Sequence, residues 1–392
     1  GILACKAYNW EQAEKRLRIA LERITYNHTR PRDGEAWYYL GIALRGQGKK
    51  KAAYDAFYRA TWSLAWNAAS HYQLAELDCL EGKYDMAMDH VDRSLATNGD
   101  NYKAKNLKTI LLRKMGYSDH ALWLASSVLE KDPLDLVSRN ELLIMGQEET
   151  ELESIMMGEV ETHLELAAFY GSCGFYKEAI QVLSPLDKSS HPGGSDYPLI
   201  YYYLAYYHAK EGEMEKSESY ARLAAEKQVD YCFPYRQESL QILEYLTEAY
   251  PEDGKALYYL GNLLFDLQPK KAFQYWEKAL ALDASNAVLY RNLGLAYAKM
   301  EEDYDKAIGY YEQALKIKAD PRMIYELDML YEKANVDMEL RVKLFKDYAS
   351  VVPKRVDALI RDVLVSVQSG DYDEAVSLLE DNYFYRWEGG NE

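Results

Sequence analysis

The residue types that carry out enzyme chemistry are present, but not in spacings that let them work together. Seven histidines stand at 28, 71, 90, 120, 163, 191 and 208. None belongs to an HExxH pair, and no GxSxG turn or Gly-rich phosphate loop occurs. The four cysteines, Cys5, Cys79, Cys173 and Cys232, lack CxxC or metal-ligand spacing. Cys5, Cys79 and Cys173 fall in apolar helical pattern, where a free thiol behaves as a small hydrophobe. All four are expected as reduced thiols, which fits the cytoplasm and leaves the periplasm open. Acidic residues are abundant, but no pair is set apart by its surroundings; solvated helix faces account for them. The expectation is a non-catalytic chain with no cofactor and no metal ligands.

Charge narrows the partners. The chain has 63 acidic and 46 basic residues, a formal net charge of −17. Such a surface repels phosphate backbones, so nucleic acid is not an expected partner. No stretch is apolar for the ~18 residues that a membrane span needs. Tyrosine is the outlier, with 37 Tyr against 8 Phe. A buried Tyr must find a partner for its hydroxyl, so this excess calls for a structural or binding role.

The elements that would position these residues are set by a repeat. Residues 36–60 read AWYYLGIALRGQGKKKAAYDAFYRA, with Trp37, Leu40, Gly41, Leu44, Ala53, Phe57 and Ala60 at characteristic places. Ala53, Ala87 and Ala121 then recur every 34 residues. Further copies carry Leu166, Ala167, Tyr170, Ala179 and Leu183; Leu257, Leu260, Gly261, Ala272, Trp276 and Ala279; and Leu293, Gly294, Tyr297, Ala307, Tyr311 and Ala314. Leu204, Ala205, Ser217, Ala221 and Ala224 make a degenerate copy, and Arg341 fills the small-residue slot midway between Ala307 and Ala375. This pattern and period resemble the tetratricopeptide repeat. The resemblance implies an all-α fold, an α-solenoid of antiparallel helix pairs wound as a right-handed superhelix. Small residues such as Gly41 and Ala53 let the two helices of a pair approach. Large ones fill the space to the next pair, because one pair cannot bury its apolar face alone.

A turn cue recurs inside the pairs: Gly82-Lys83-Tyr84, Gly174-Phe175-Tyr176 and Gly370-Asp371-Tyr372. Glycine suits the left-handed position that ends a helix, and the ring three residues before each alanine is expected to cover the pair. Spacing breaks divide the chain into an array over 1–145, degenerate copies with inserted loops over 146–250, and a second array over 251–392. The array is expected to bend or split near 146–160. The acidic run 147–151, the loop 187–198 (DKSSHPGGSDYP) and the stretch 229–234 mark the interruptions.

The resemblance also implies where ligands bind. In tetratricopeptide arrays the first helix of each pair lines a concave groove. The slots that point into it hold Tyr38, Tyr72, Asn106, Tyr202, Tyr206, Tyr258, Asn262 and Arg291. Aromatic faces with one polar edge suit extended peptides or sugars. The same rings could instead pack on neighbouring helices, and both readings stand at this point. Asn262, Arg291 and Lys299 are the nearest thing to a polar cluster for an anionic group. The expected function is a scaffold that binds a partner protein, a peptide or its own missing domain on the concave face, with carbohydrate as the alternative ligand. Finally, Phe384, Trp387, Glu388, Gly389 and Gly390 resemble a Phe-x-x-Trp-Glu-Gly-Gly segment of large bacterial repeat proteins. Those carry a domain similar to sugar-processing folds ahead of their repeats. That resemblance implies a longer parent protein acting on carbohydrate, with these repeats positioning its other part.

Overall fold

The computed structural model describes residues 1–27, 33–148, 151–191, 193–228 and 232–384. The described residues form helices joined by short turns, with one isolated β-bridge between Asp187 and Ser195. Two compact units are present, 1–246 and 247–392. The first holds α1 (Ile2–Lys6), α2 (Trp10–Ile24), α3 (Glu35–Gly46), α4 (Lys50–Ala60), α5 (Leu64–Leu80), α6 (Tyr84–Thr97), α7 (Tyr102–Lys114) and α8 (Ser118–Leu129). It continues with α9 (Leu136–Ile144), α10 (Leu152–Met156), α11 (Val160–Ser172), α12 (Tyr176–Leu183), α13 (Pro198–Lys210), α14 (Met214–Glu226) and α15 (Gln237–Ala249), which runs across the boundary. The second unit holds α16 (Gly254–Leu264), α17 (Pro269–Leu282), α18 (Ala287–Ala296), α19 (Tyr304–Ile317), α20 (Pro321–Lys333), α21 (Met338–Asp347), α22 (Val356–Ser369) and α23 (Tyr372–Asp381). The array of helix pairs inferred from the repeat is therefore the fold.

Local chemistry starts and stops these helices. Asn101 caps α7 by accepting from the Ala104 amide, Asn286 caps α18, and Asp320 caps α20 ahead of Pro321 at its first position. Each cap supplies an acceptor for amides that have no partner inside the helix. Gly82, Gly174 and Gly370 all take positive φ, +70°, +80° and +85°. A side chain there would be strained, which is why the turn cue carries glycine. The rings that follow do not all behave alike. Tyr84 packs near Phe175 and Tyr176 stacks on Tyr207, whereas Tyr372 is 65% exposed.

Pairing within each unit rests on the small-residue slots. A Cβ on Gly41 would lie 2.5 Å from the Phe57 ring, and one on Gly261 would lie 2.1 Å from Nε1 of Trp276. Backbone meets ring directly at these places, and a methyl group would force the helices apart. Ala53, Ala87, Ala121, Ala179 and Ala307 are fully buried opposite. The pattern is kept even where the turn length changes. Gly294 to Ala307 is one residue longer than Gly41 to Ala53. A π-helical turn at Tyr297–Glu301, ending in left-handed Glu302 (φ 53°), absorbs the extra residue and restores the register.

The pair α20/α21 solves the same problem differently. Asp328 stands in the slot that holds glycine in α3, α16 and α18, and Arg341 stands in the slot that holds alanine in α4, α17 and α19. Both are buried, Asp328 at 0% and Arg341 at 5% exposure. Arg341 Nε and Nη2 donate to the two oxygens of Asp328 at 2.7 and 3.0 Å. A bidentate ion pair thus replaces the contact between two small residues. Arg361 of α22 adds a third member, its Nε donating to Asp328 at 2.7 Å. What reads in the sequence as a degenerate copy is a helix pair with a different fastening.

Candidate functional site

In the first unit, the ends of the first helices of successive pairs are tied to one another by buried charge. Arg45 at the end of α3 pairs with Glu76 of α5, and its Nη2 also donates to the Ser172 carbonyl of α11 at 3.3 Å. Ser172 Oγ in turn donates to Glu76 at 3.3 Å. Residues 127 positions apart meet only because the array curls on itself. Gly174 fits against the same place, with a would-be Cβ 3.4 Å from Cα of Leu80. A second network lies beside the first. Arg113 of α7 donates through Nε and Nη2 to Glu141 of α9 at 2.6 and 3.0 Å, and through Nη2 to Glu178 of α12 at 3.0 Å. Tyr170 of α11 donates to Glu141 at 2.9 Å, and Asn140 donates to the Tyr170 oxygen at 2.8 Å. Burial alone would raise the Glu178 carboxyl, but hydrogen bonds and charge from Lys114 and Arg113 hold it below its ordinary range.

The slots expected to line a groove are largely occupied by this packing. Tyr72 is 8% exposed, and burial, then Glu76, pushes its phenol well up. Asn106 is 4% exposed; its Nδ2 donates to Asp135 at 2.7 Å and its Oδ1 accepts from Ser138 at 3.1 Å. Tyr202 is fully buried and Tyr206 nearly so, edge-on to Tyr207 and Tyr245 with the Lys210 ammonium 4.9 Å over its ring. Tyr38 is half-buried, 4.8 Å from the Trp66 ring and 5.7 Å from Phe57; burial, then Glu76, pushes its phenol up to about 12.

The tyrosine excess finds its explanation on α13. Tyr201, Tyr202, Tyr203 and Tyr207 are 0–1% exposed. The Tyr201 hydroxyl donates to the Ser195 carbonyl at 2.9 Å, Tyr203 meets Ser239 Oγ at 2.8 Å, and Tyr207 donates to the Ala167 carbonyl at 3.3 Å. Tyr201, Tyr203 and Tyr207 each fill apolar space while the hydroxyl meets a polar group elsewhere in the chain, a double duty that Phe cannot perform.

The second unit differs. Tyr258 is buried at 2%, but Asn262 and Arg291 are half-buried and brought together. Trp276 Nε1 is shared between the Tyr258 carbonyl at 3.3 Å and Asn262 Oδ1 at 3.2 Å. Asn292 donates to Asn262 at 3.0 Å and accepts from Arg291 at 3.3 Å. The Arg291 guanidinium is held by Glu326, at 2.7 Å through Nε, and Tyr311 donates to the same carboxylate at 2.8 Å. Its charge is therefore matched from within the unit; Lys299 is exposed. Further along, the equivalent slots are apolar: Leu295 on α18 and Tyr325 and Met329 on α20 are half-buried, Tyr325 packing on the core of the unit, while Ile360 and Leu364 on α22 are 45% and 43% exposed, and Val367, a turn further on, is 45% exposed.

Sequence reasoning missed the buried charges, although a signal existed. Arg45 and Arg113 each stand seven residues after the expected groove slot of their helix, at Tyr38 and Asn106. A cation recurring at one slot of an apolar repeat asks for a carboxylate nearby. His28, residues 149–150 of the acidic run, residue 192 of the loop, 229–231 and the segment 385–392 with Trp387 lie outside the described residues. The four cysteines are buried, and none is joined in a disulfide. Among the described residues no metal-binding cluster occurs and no helix is long and apolar enough to cross a membrane.

Comparison with known proteins places these features. Tetratricopeptide-repeat family profiles match residues 1–69 and 289–322. Tetratricopeptide repeat protein 21B of Mus musculus is 29% identical over 133 residues, which is 33% of this chain and 9% of that protein. The match thus spans less than a tenth of that relative's length. Among solved structures, MamA is 20% identical, covering 43% of this chain and 90% of its own at a TM-score of 0.32. PilF of Pseudomonas aeruginosa is 17% identical, covering 56% and 89% at a TM-score of 0.31. Repeat period, small-residue helix contacts and the two family profiles agree that the chain carries tetratricopeptide repeats, over residues 1–69 and 289–322 by those profiles, and such repeats as a rule assemble proteins and do not catalyse.

Proposed function

We propose that this chain is a non-catalytic scaffold that binds a partner protein on the inner face of its second unit. The observation that supports this reading is the contrast between equivalent slots. In the first unit they are spent on internal packing at Tyr72, Asn106 and Tyr202. In the second unit they present Leu295, Tyr325, Met329, Ile360, Leu364 and Val367, half-buried or exposed. Scattered apolar surface is ordinary, but apolar residues at these slots on three successive pairs, half-buried on α18 and α20 and exposed on α22, suit an extended apolar segment of a partner. The rings on α13 that a sugar ligand would need are buried, so carbohydrate binding has no comparable support.

The test compares proteins captured by the wild-type chain and by two variants. Leu364→Arg places a charge on the open face and is expected to lose the captured partner while leaving the melting temperature unchanged. Tyr202→Phe alters the buried wall and is expected to keep the partner. Retention of the partner by Leu364→Arg would show the reading to be wrong.

A further inference from the structure

Arginines that the first unit holds in place are matched by carboxylates: Arg45 by Glu76, Arg113 by Glu141 and Glu178, and Arg236 by Glu161. Arg59 of α4 is held in another way. Its guanidinium lies 4.6 Å over the Trp37 ring of α3, and among the described residues no carboxylate pairs with it. A cation over an indole face is fixed in position while the N–H donors at its edge remain available.

Arg59 borders a cleft of about 550 Å3 between α2, α3 and α4, a size in the range of small-ligand sites. Leu21 and Leu40, 6% and 2% exposed, form its floor with Trp37. Arg18 of α2 stands on the same wall as Glu22. Its Nε and Nη2 meet Glu14 at 2.9 and 2.8 Å, which leaves Nη1. The spacing of the repeat explains where the cleft lies. Ala13 and Ala53 are 40 residues apart against 34 for Ala53 and Ala87, and ten residues join α2 to α3 where three join α4 to α5. None of the expected groove slots lines it.

Charge decides what fits. Residues 10–59 hold eleven basic and six acidic residues, in a chain whose formal net charge is −17. A negatively charged segment, repelled by most of this molecule, is attracted here. The planar fork of Arg59 matches a carboxylate with two parallel hydrogen bonds. The floor accepts an aliphatic side chain beside it.

We propose that the Arg18/Trp37/Arg59 cleft binds an acidic peptide segment of a partner protein. An apolar side chain of the segment enters on Leu21, Leu40 and Trp37, and a neighbouring carboxylate is taken by Arg59 with Arg18 beside it. The site is separate from the inner face of the second unit, so either reading can fail alone.

The probe is a dye-labelled synthetic peptide with a central leucine between paired glutamates, titrated against the full chain and followed by anisotropy. A twin with glutamines for the glutamates and a twin with serine for the leucine serve as references. The acidic leucine peptide is expected to bind at least about tenfold more tightly than the glutamine twin, and more weakly as salt is raised. The serine twin is expected to bind more weakly as well. Arg59→Gln is expected to lower the affinity by about tenfold or more, with circular dichroism unchanged because Arg59 is exposed. Arg59→Lys keeps a charge over Trp37 without the fork and is expected to lose about threefold or more. Lys51→Ala, which removes an exposed charge outside the cleft, should lose no more than about twofold, as expected of a screened surface charge. Leu364→Arg should leave the affinity unaltered. The proposal is overturned if the acidic peptide does not bind, as when part of the chain itself closes the cleft, or if the glutamine twin binds equally. It is also overturned if Arg59→Gln leaves binding unchanged, or if Lys51→Ala weakens it as much as Arg59→Gln does.

Discussion

Replacing Asp328 with alanine lowers the stability of the second unit by about 3–5 kcal/mol. Asp328 is fully buried and is the shared partner of Arg341 and Arg361. Without it, Arg341 keeps Gln368 at 3.3 Å and a 3.8 Å approach to Glu332, and Arg361 keeps Glu332 at 3.0 Å. Neither replaces a bidentate buried carboxylate, and an uncompensated interior charge is costly. Because each pair touches mainly its neighbours, the loss should uncouple α20–α23 before it unfolds the rest of the unit. Urea unfolding should show a lowered midpoint, and hydrogen exchange should rise selectively in α20–α23. The paired replacement Asp328→Leu with Arg341→Met restores an apolar contact and should recover at least half of the loss. A midpoint change for Asp328→Ala worth less than about 1 kcal/mol would contradict this account.

The second large effect lies in the first unit. Glu141→Ala removes the acceptor of both Arg113 nitrogens and of the Tyr170 hydroxyl, all within 3.0 Å. Glu141 is fully buried and joins α7, α9 and α11, so the expected cost is about 3 kcal/mol. Arg113 keeps Glu178, which limits the damage. Glu141→Gln retains an acceptor for Tyr170 while removing the charge, and should cost clearly less than the alanine variant. Thermal unfolding of the three proteins side by side checks the order. Equal melting temperatures for Glu141→Ala and the wild type would mean that the network does not tie the helices.

The two effects show what was legible in the sequence. The helix pairs were, because Gly41, Gly261 and Gly294 face large rings on their partner helices and the spacing of small and large slots encodes that contact. The glycine turns were legible for a similar reason: positive φ leaves few residue types. Arg341 was visible as a misfit in an alanine slot. Its meaning was not, because the compensating Asp328 sits in another slot, and only the two substitutions read together show an ion pair. The expected groove slots lie on the first helices of the pairs, and their exposure depends on how tightly the array curls. That curvature brings Arg45 to Ser172 across 127 residues, a meeting no local pattern encodes. The tyrosine excess was likewise visible without its partners, since carbonyls such as those of Ala167 and Ser195 carry no signature in the sequence.

Those interior phenols bear on how the protein behaves in base. Burial drives the phenols of Tyr72, Tyr170 and Tyr207 well above their ordinary value, and an unfolded chain would release the same protons near pH 10. Above that point the unfolded state binds fewer protons than the folded one, so stability falls as alkalinity rises. The interior hydroxyls therefore ionise together with unfolding, as one abrupt rise in phenolate absorbance.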